Sequence, residues 1–332
     1  MNLVAVRTPT FRRPEALKRA LESLKSQTWP HWTCNVYDDD REGSAAAVVA
    51  SLQDDRINYH RNDKQLFASK NIDQCFSRNN PEDADWFCVV EDDNFLLPRF
   101  MEDNILLARR ENVKVVLRNQ LIEFESGRPG ANVSDFGIQD GFFKERTYSE
   151  SEFRLSLLGH IGVSNGGLFW SRNAASDLEI GYDCSATLQE YLRTLAIVEP
   201  IFVALEPLAV WAHNGEDTLR DLGSAKGNLA ARLRLAKSLW ILRRAVWSMA
   251  SPELRAEFLT DKTLITSTEK KLVALARSNV FATWNRLLPA SDWLSHTFRG
   301  AASAFLGQPE SCVRPFLRQL QDVKTQVPKN LV

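Results

Sequence analysis

Several features that would place a chain in a class at once are scarce or missing here. Cysteine is sparse: five in 332 residues, at positions 34, 75, 88, 184 and 312, an odd number with no CxxC pair. That argues against a disulfide framework and for reduced, structural thiols in a cytoplasmic chain. Long apolar runs are absent; none approaches the ~20 residues of a membrane span, and the opening Met1–Arg7 is too short an apolar stretch for a signal peptide. No GxGxxG follows an early strand, which speaks against a dinucleotide dehydrogenase. Thr8-Pro9-Thr10 stands where a nucleotidyltransferase would carry a glycine-rich basic loop. There is no internal repeat and no low-complexity tract. Net charge is also nearly missing, at −1, but its distribution is uneven. From Lys226 to Val332 there are 17 Lys and Arg against 7 Asp and Glu, a net of +10, which leaves −11 for residues 1–225. An acidic front suits cations, and a basic tail suits an anionic partner or surface.

What is present begins with Glu91-Asp92-Asp93-Asn94. The cluster follows an apolar run, Trp86-Phe87-Cys88-Val89-Val90, that reads as a buried strand. Carboxylates gathered at a strand's end need a compensating cation or solvent. Hard oxygen donors suit Mg²⁺ or Mn²⁺, the ions that accompany diphosphates.

The remaining pattern alternates strands and helices. Leu3–Val6, Thr33–Tyr37 and Arg56–His60 read as strands; Pro14 opens a helix with Leu17, Ala20, Leu21 and Leu24 at helical spacing. Thr8-Pro9-Thr10 reads as a loop. Helices are expected over Ser44–Leu52, Phe67–Phe76, Arg99–Arg110 and Ala186–Ala196. Further strands are expected over Val113–Glu125, Leu168–Trp170, Ile201–Leu205 and Leu208–Ala212. Ser126–Glu145, rich in Gly, Asp and Asn, reads as a mobile surface segment. Such alternation predicts an α/β fold with a mostly parallel sheet flanked by helices, followed by a helical C-terminal extension. Ligands of such sheets sit at the carboxyl ends of the strands. Three polar groups fall there: Arg7-Thr8, Asp38-Asp39-Asp40 and Glu91-Asp92-Asp93.

Six segments in order resemble an inverting family 2 glycosyltransferase of the GT-A fold, over about residues 1–220. They are the opening AVRTPTFRRPEALKRALESLKSQTW, then VYDDD, LFASKN, VVEDDNFLLP, LQEYLRTL and VWAHNGEDT. The departures are Lys70 for the family's arginine, Gln189-Glu190 for its Glu-Asp pair, and no small residue after VYDDD. The resemblance implies transfer of a sugar from a nucleoside diphosphate, with UDP the usual carrier, to an acceptor hydroxyl. That acceptor would be a saccharide or a lipid-linked glycan in polysaccharide biosynthesis. It implies Mn²⁺ or Mg²⁺ on Asp93, with His213 as a second metal or diphosphate ligand. Glu91 would face ribose or a metal-bound water, with Asp92 and Asn94 as alternatives. Asp38 and Asp39 would accept from uracil or ribose. Thr8 and Pro9 would shape the base pocket, with Arg12 or Arg13 near phosphate. Lys70 would approach the diphosphate, and Asn71 would either do so or brace the loop carrying the acids. Asn165-Gly166-Gly167 would let backbone approach the donor sugar. Glu190, three residues before Arg193 on a helix, would be the catalytic base, with Asp183 the runner-up.

A division follows: residues 1–225 as the GT-A nucleotide-sugar-binding and catalytic domain, 226–332 as a basic helical region. In that region Leu229, Leu233, Ala236, Leu239 and Trp240 form an apolar stripe among arginines and lysines. It would pack on the catalytic domain or a second copy of the chain, or dock at the inner membrane face. Nucleic acid is not expected, since no recognisable module accompanies the charge. The competing functions are nucleotidyl transfer and a nucleotide- or carbohydrate-binding protein without turnover, the latter suggested by Gln189.

Overall fold

The computed structural model describes residues 2–213, 225–260, 264–265, 267–280, 289–305 and 307–326. Asn214–Thr218 of the last resembling segment lie outside the described residues. The chain forms two compact units. The first comprises residues 1–150, 163–181 and 197–220; the second comprises 151–162, 182–196 and 221–332. Residues 151–162 and 182–196, expected in the first domain, thus belong with the second unit.

The first unit holds all the strands among the described residues. They are β1 (Val4–Thr10), β2 (Trp32–Asp38), β3 (Ile57–Arg61), β4 (Trp86–Val89), β5 (Phe95–Leu96), β6 (Val115–Phe124), β7 (Asn132–Gly137), β8 (Arg146–Tyr148), β9 (Leu168–Ser171) and β10 (Ile201–His213). The sheet runs β3-β2-β1-β4-β9-β6-β10-β5, with β7 on β6 and β8 on β10. The first four strands are parallel, as expected, and β6 pairs parallel to β10. Strand β9 lies antiparallel between β4 and β6, so the sheet is mixed. Helices α1 (Pro14–Lys25), α2 (Ala46–Leu52), α3 (Phe67–Asp73) and α4 (Phe100–Arg110) connect the strands. Leu17, Ala20, Leu21 and Leu24 of α1 pack with Val6, Val36, Cys88 and Phe169 in one core, the burial that the helical spacing demanded.

Three local expectations change. Thr8-Pro9-Thr10 continues β1 instead of forming a loop. Pro9 pairs only with Tyr37 of β2, because the register with β4 ends at Arg7 and Val89. Its missing N–H falls on the side where no ladder partner is needed. The 126–145 segment contains β7, which folds back antiparallel on the end of β6. The two strands expected over 201–212 are one strand, β10, whose register to β6 shifts between Ala204 and Ala209, around Glu206-Pro207.

The second unit is helical: α5 (Glu150–Arg154, with Glu150 in the first unit), α6 (Ala186–Ala196), α7 (Ala225–Met249), α8 (Pro252–Thr260), α9 (Thr268–Arg277), α10 (Ala290–Phe305) and α11 (Val313–Gln326). The inward line of α7 is Ser238, Leu242 and Val246, while Leu229 of the expected stripe is exposed. Arg243 is also buried; its Nε donates to the Leu157 carbonyl at 3.2 Å, and Nη2 lies 2.5 Å from His160 Nδ1. Burial, then the Arg243 charge, pushes His160 down to about 4, so the ring is neutral and can accept from the guanidinium. No helix among the described residues is long and apolar enough to cross a membrane.

Candidate functional site

Parallel neighbours β1 and β4 end at the same edge, so the chain leaving each meets the other. Thr10 Oγ1 donates to Asp92 Oδ2 at 2.8 Å, and the Phe11 N–H donates to the same oxygen at 3.3 Å. Arg13, just before α1, places Nη1 3.4 Å from Asp92 Oδ1 and 2.6 Å from Asp93 Oδ2. One guanidinium therefore holds two adjacent carboxylates. Burial, reinforced by the charge of Asp93, still pushes Asp92 up to about 7. Asp92 is thus the inward member, and Asp93 the outward one.

Asparagines tie this turn to the rest of the sheet. Asn94 Nδ2 donates to Glu91 Oε2 at 2.9 Å, while its Oδ1 accepts from the Ala212 N–H of β10 at 2.9 Å. Asn165 Nδ2 lies 3.3 Å from Glu91 Oε1. His213, exposed at the end of β10, follows the residue that Asn94 clamps. Arg19 of α1 donates to both oxygens of Glu123 at 3.1 and 2.8 Å, and Nη2 donates to the Asp93 carbonyl at 3.0 Å. Its guanidinium also stands 5.1 Å over the Phe95 ring. Arg13, Arg19 and Glu123 frame the acidic turn, yet a sequence pattern marks only the first. Arg19 and Glu123 are 104 positions apart and meet only through the packing of α1 on the sheet.

Several residues expected at a ligand face inward instead. Asp38 is fully buried and spends its oxygens on the N–H groups of Asp40 and Ala45, both at 3.0 Å, and on Tyr59 Oη at 3.2 Å. Asp39 receives Asn62 Nδ2 at 2.9 Å and the N–H groups of Leu66 and Phe67 at 2.6 and 2.8 Å. Both carboxylates hold loops, because buried acids must be paired. Thr8 turns its hydroxyl to Cys34 Sγ at 3.6 Å in the core, leaving Thr10 to face the acids. Pro9 is buried within β1. Arg12 binds Asp40 at 3.0 Å rather than reaching the acidic turn. Asn71 braces the loops: Nδ2 donates to the Thr10 and Tyr37 carbonyls at 3.3 and 3.2 Å. Lys70 is exposed on the adjacent position of α3. Gly166 and Gly167 lie close against β6. A Cβ on Gly167 would sit 2.5 Å from the Arg118 carbonyl, and one on Gly166 would sit 2.9 Å from Gln120 Nε2.

In the second unit, Glu190 is partly exposed on α6 while Arg193 is fully buried on the same helix. Asp183 is exposed in the segment before α6. Gln189 is fully buried, and among the described residues its amide oxygen and nitrogen have no hydrogen-bond partner. The residue standing in for the family's acid is therefore a core side chain.

Residues 5–177, just over half of the chain, match the family described as Glycosyl transferase family 2. The chain belongs to glycosyl transferase family 2. No curated protein matches its sequence. Among solved structures this glycosyltransferase is similar to S. aureus TarS 1–349, with 13% identity and a TM-score of 0.56 over 97% of this chain and 87% of that one. The same TarS fragment in complex with UDP-GlcNAc gives 14% identity and a TM-score of 0.52 over 97% of this chain and 88% of that one. Its complex with UDP gives 13% and 0.53 over 98% and 92%. At such identities the likeness bears on the fold, which is the α/β, GT-A-like sheet.

For this family 2 enzyme the donor set at the acidic turn fits a hard divalent cation. Mg²⁺ commonly takes one or two protein carboxylates and completes its shell with water and substrate phosphates. Asp93 offers one such carboxylate, 19% exposed at its side chain. Asp92 is already engaged by Thr10 and Phe11. Arg13 holds Asp93 through Oδ2, so an ion there would share this carboxylate with the guanidinium or displace it. Among the described residues Asp93, Glu91 and His213 do not form a three-donor group within 4.8 Å, so the substrate's own oxygens would have to supply further ligands.

Proposed function

We propose that this glycosyltransferase moves a sugar, with inversion, from a UDP-sugar to a hydroxyl of a saccharide or lipid-linked acceptor, using Mn²⁺ or Mg²⁺ at Asp93. The observation that carries the reading is the cationic clamp on the acidic turn, Arg13 bound to both Asp92 and Asp93. It supplies one carboxylate for an ion and, once that carboxylate is taken, a guanidinium whose remaining N–H groups can meet phosphate oxygens. TarS, whose fold this chain shares, binds UDP and UDP-GlcNAc, which supports uridine as the carrier.

In this scheme Asp93 would hold a cation, which would supply positive charge against the leaving diphosphate. Arg13 moves from Asp93 to the diphosphate, and Asp92 keeps the loop after β1 in place through Thr10 and Phe11. Glu91 orients Asn94 and Asn165, and His213 stands at the end of β10 as a further diphosphate or metal ligand. Lys70 adds positive charge from α3. Glu190 is the base for the acceptor hydroxyl, with Asp183 as the alternative. Gln189 does not favour an inactive protein, because its side chain belongs to the core.

Thermal melting with UDP, with and without Mn²⁺, tests the donor site. Stabilisation by UDP should require Mn²⁺ and vanish in Asp93→Ala. Glu190→Gln should retain that stabilisation and lose turnover by a factor of about 10² or more. Full turnover in Glu190→Gln would move the base elsewhere, and metal-independent UDP binding would end the role of Asp93.

A further inference from the structure

A second cluster of ligating side chains belongs to the second unit. Among the described residues, Cys184, Glu310 and Cys312 bring one donor atom each to within 4.8 Å of one another. They come from two stretches of chain more than 120 residues apart, joined by folding alone.

The local structure prepares all three. Cys184 lies two residues before α6, whose first turn is capped by Ser185. The Ser185 Oγ accepts from the Leu188 N–H at 3.4 Å, and its carbonyl from Gln189 at 3.0 Å. Cys312 immediately precedes α11, and its carbonyl accepts from the Phe316 N–H at 2.9 Å. Both sulfurs thus sit at helix N-termini, where unpaired N–H groups and the helix dipole favour a thiolate. The Cys184 and Cys312 sulfurs face each other within 4.8 Å. Glu310 is oriented from outside the cluster. Its carboxylate accepts from the Ser185 N–H at 2.7 Å and Ser185 Oγ at 2.8 Å. Its own N–H donates to Ser238 Oγ at 2.9 Å, and Ser238 is fully buried on α7. Outer groups that fix the direction of a ligand are the usual surroundings of a metal site.

We propose that Cys184, Glu310 and Cys312 bind one Zn²⁺ ion, which fastens the start of α6 to the start of α11. Two sulfurs and a carboxylate suit zinc rather than the hard ions expected at Asp93. Tetrahedral zinc with bonds of about 2.3 Å holds its sulfurs about 3.8 Å apart, so the two sulfurs, within 4.8 Å of each other, need close by at most about an ångström. Binding releases the two thiol protons. Two thiolates and one carboxylate then exceed the ion's charge by one, and the two helix N-termini offset that excess. The fourth position falls to water. A disulfide would make no use of an oriented third ligand.

The test uses the full chain, stripped of metal and titrated with Co²⁺ and then Zn²⁺. Co²⁺ should give a thiolate-to-metal charge-transfer band at one equivalent, and Zn²⁺ should bleach it. Cys184→Ser and Cys312→Ser should lose the band, and Glu310→Gln should weaken Zn²⁺ binding about tenfold or more. Cys34, Cys75 and Cys88 are essentially solvent-inaccessible, so a native-state titration does not recruit them. X-ray absorption on the Zn²⁺-loaded wild type, which needs no variant to fold, should count two sulfur ligands. Absence of the band, its persistence in Cys312→Ser, or a Cys184–Cys312 disulfide in freshly purified protein would overturn the site.

Discussion

Asp92 shows how one side chain can answer to two demands. It must be buried to receive Thr10 and Phe11, and it must sit next to Asp93. The result is a carboxyl raised to about 7, from burial first and the neighbouring charge second. A folded pKa above the unfolded value means that the folded state holds the proton more tightly. The stabilisation is complete below about pH 4 and is lost as pH rises through about 7. Asp92→Asn keeps an oxygen for Thr10 and carries no charge. It should therefore narrow the stability difference between pH 5 and pH 8 by on the order of 1–3 kcal/mol, read from urea unfolding at the two pH values. Gln189 makes a second residue-scale case. Its buried amide lacks partners, and an unsatisfied buried amide costs about 1–3 kcal/mol. Gln189→Leu should raise stability by about 1 kcal/mol or more; a loss of stability in that variant would show that the amide is satisfied in solution. The acidic turn itself was visible in the sequence because three acids in succession after an apolar run are conspicuous. Which acid faces outward was not visible, since that depends on where Thr10 and Arg13 arrive from another strand.

Element packing explains the glycines that looked like a ligand loop. The turn at Asn165–Gly167 leads into β9, which lies against β6, and the approach leaves no room for a Cβ. Gly167→Ala meets a backbone carbonyl, which cannot rotate away as a side chain can. It should cost about 1–3 kcal/mol and lower the melting temperature by several degrees, whether or not nucleotide is present. A change confined to nucleotide affinity would return the turn to the donor site. Helix α1 and the first strands were legible because their periods of 3.6 and 2 are strong and local. The course of β7 and the continuity of β10 were not, because pairing partners far along the chain override Gly, Asn and Pro in the local sequence.

For the molecule as a whole, the two proposed ions belong to different units and to different chemistry. Mn²⁺ with UDP should stabilise through Asp93, and Zn²⁺ through Cys184, Glu310 and Cys312. Melting experiments on four proteins separate them: wild type, Asp93→Ala, Cys312→Ser and the double variant. Asp93→Ala should keep the Zn²⁺ shift and lose the UDP–Mn²⁺ shift, and Cys312→Ser should do the reverse. Loss of both shifts in either single variant would contradict the assignment of separate sites.

Periodicity, the ordered motifs and the acidic cluster were enough to determine an α/β fold and family 2 membership, because burial patterns and short motifs are written locally in the chain. The tertiary structure decided which carboxylates are spent on loops, which arginine neutralises the outward acid, and that two distant cysteines share a glutamate. Those are questions of where a charge finds its partner, and a partner 80 or more residues away has no signature in the sequence around it.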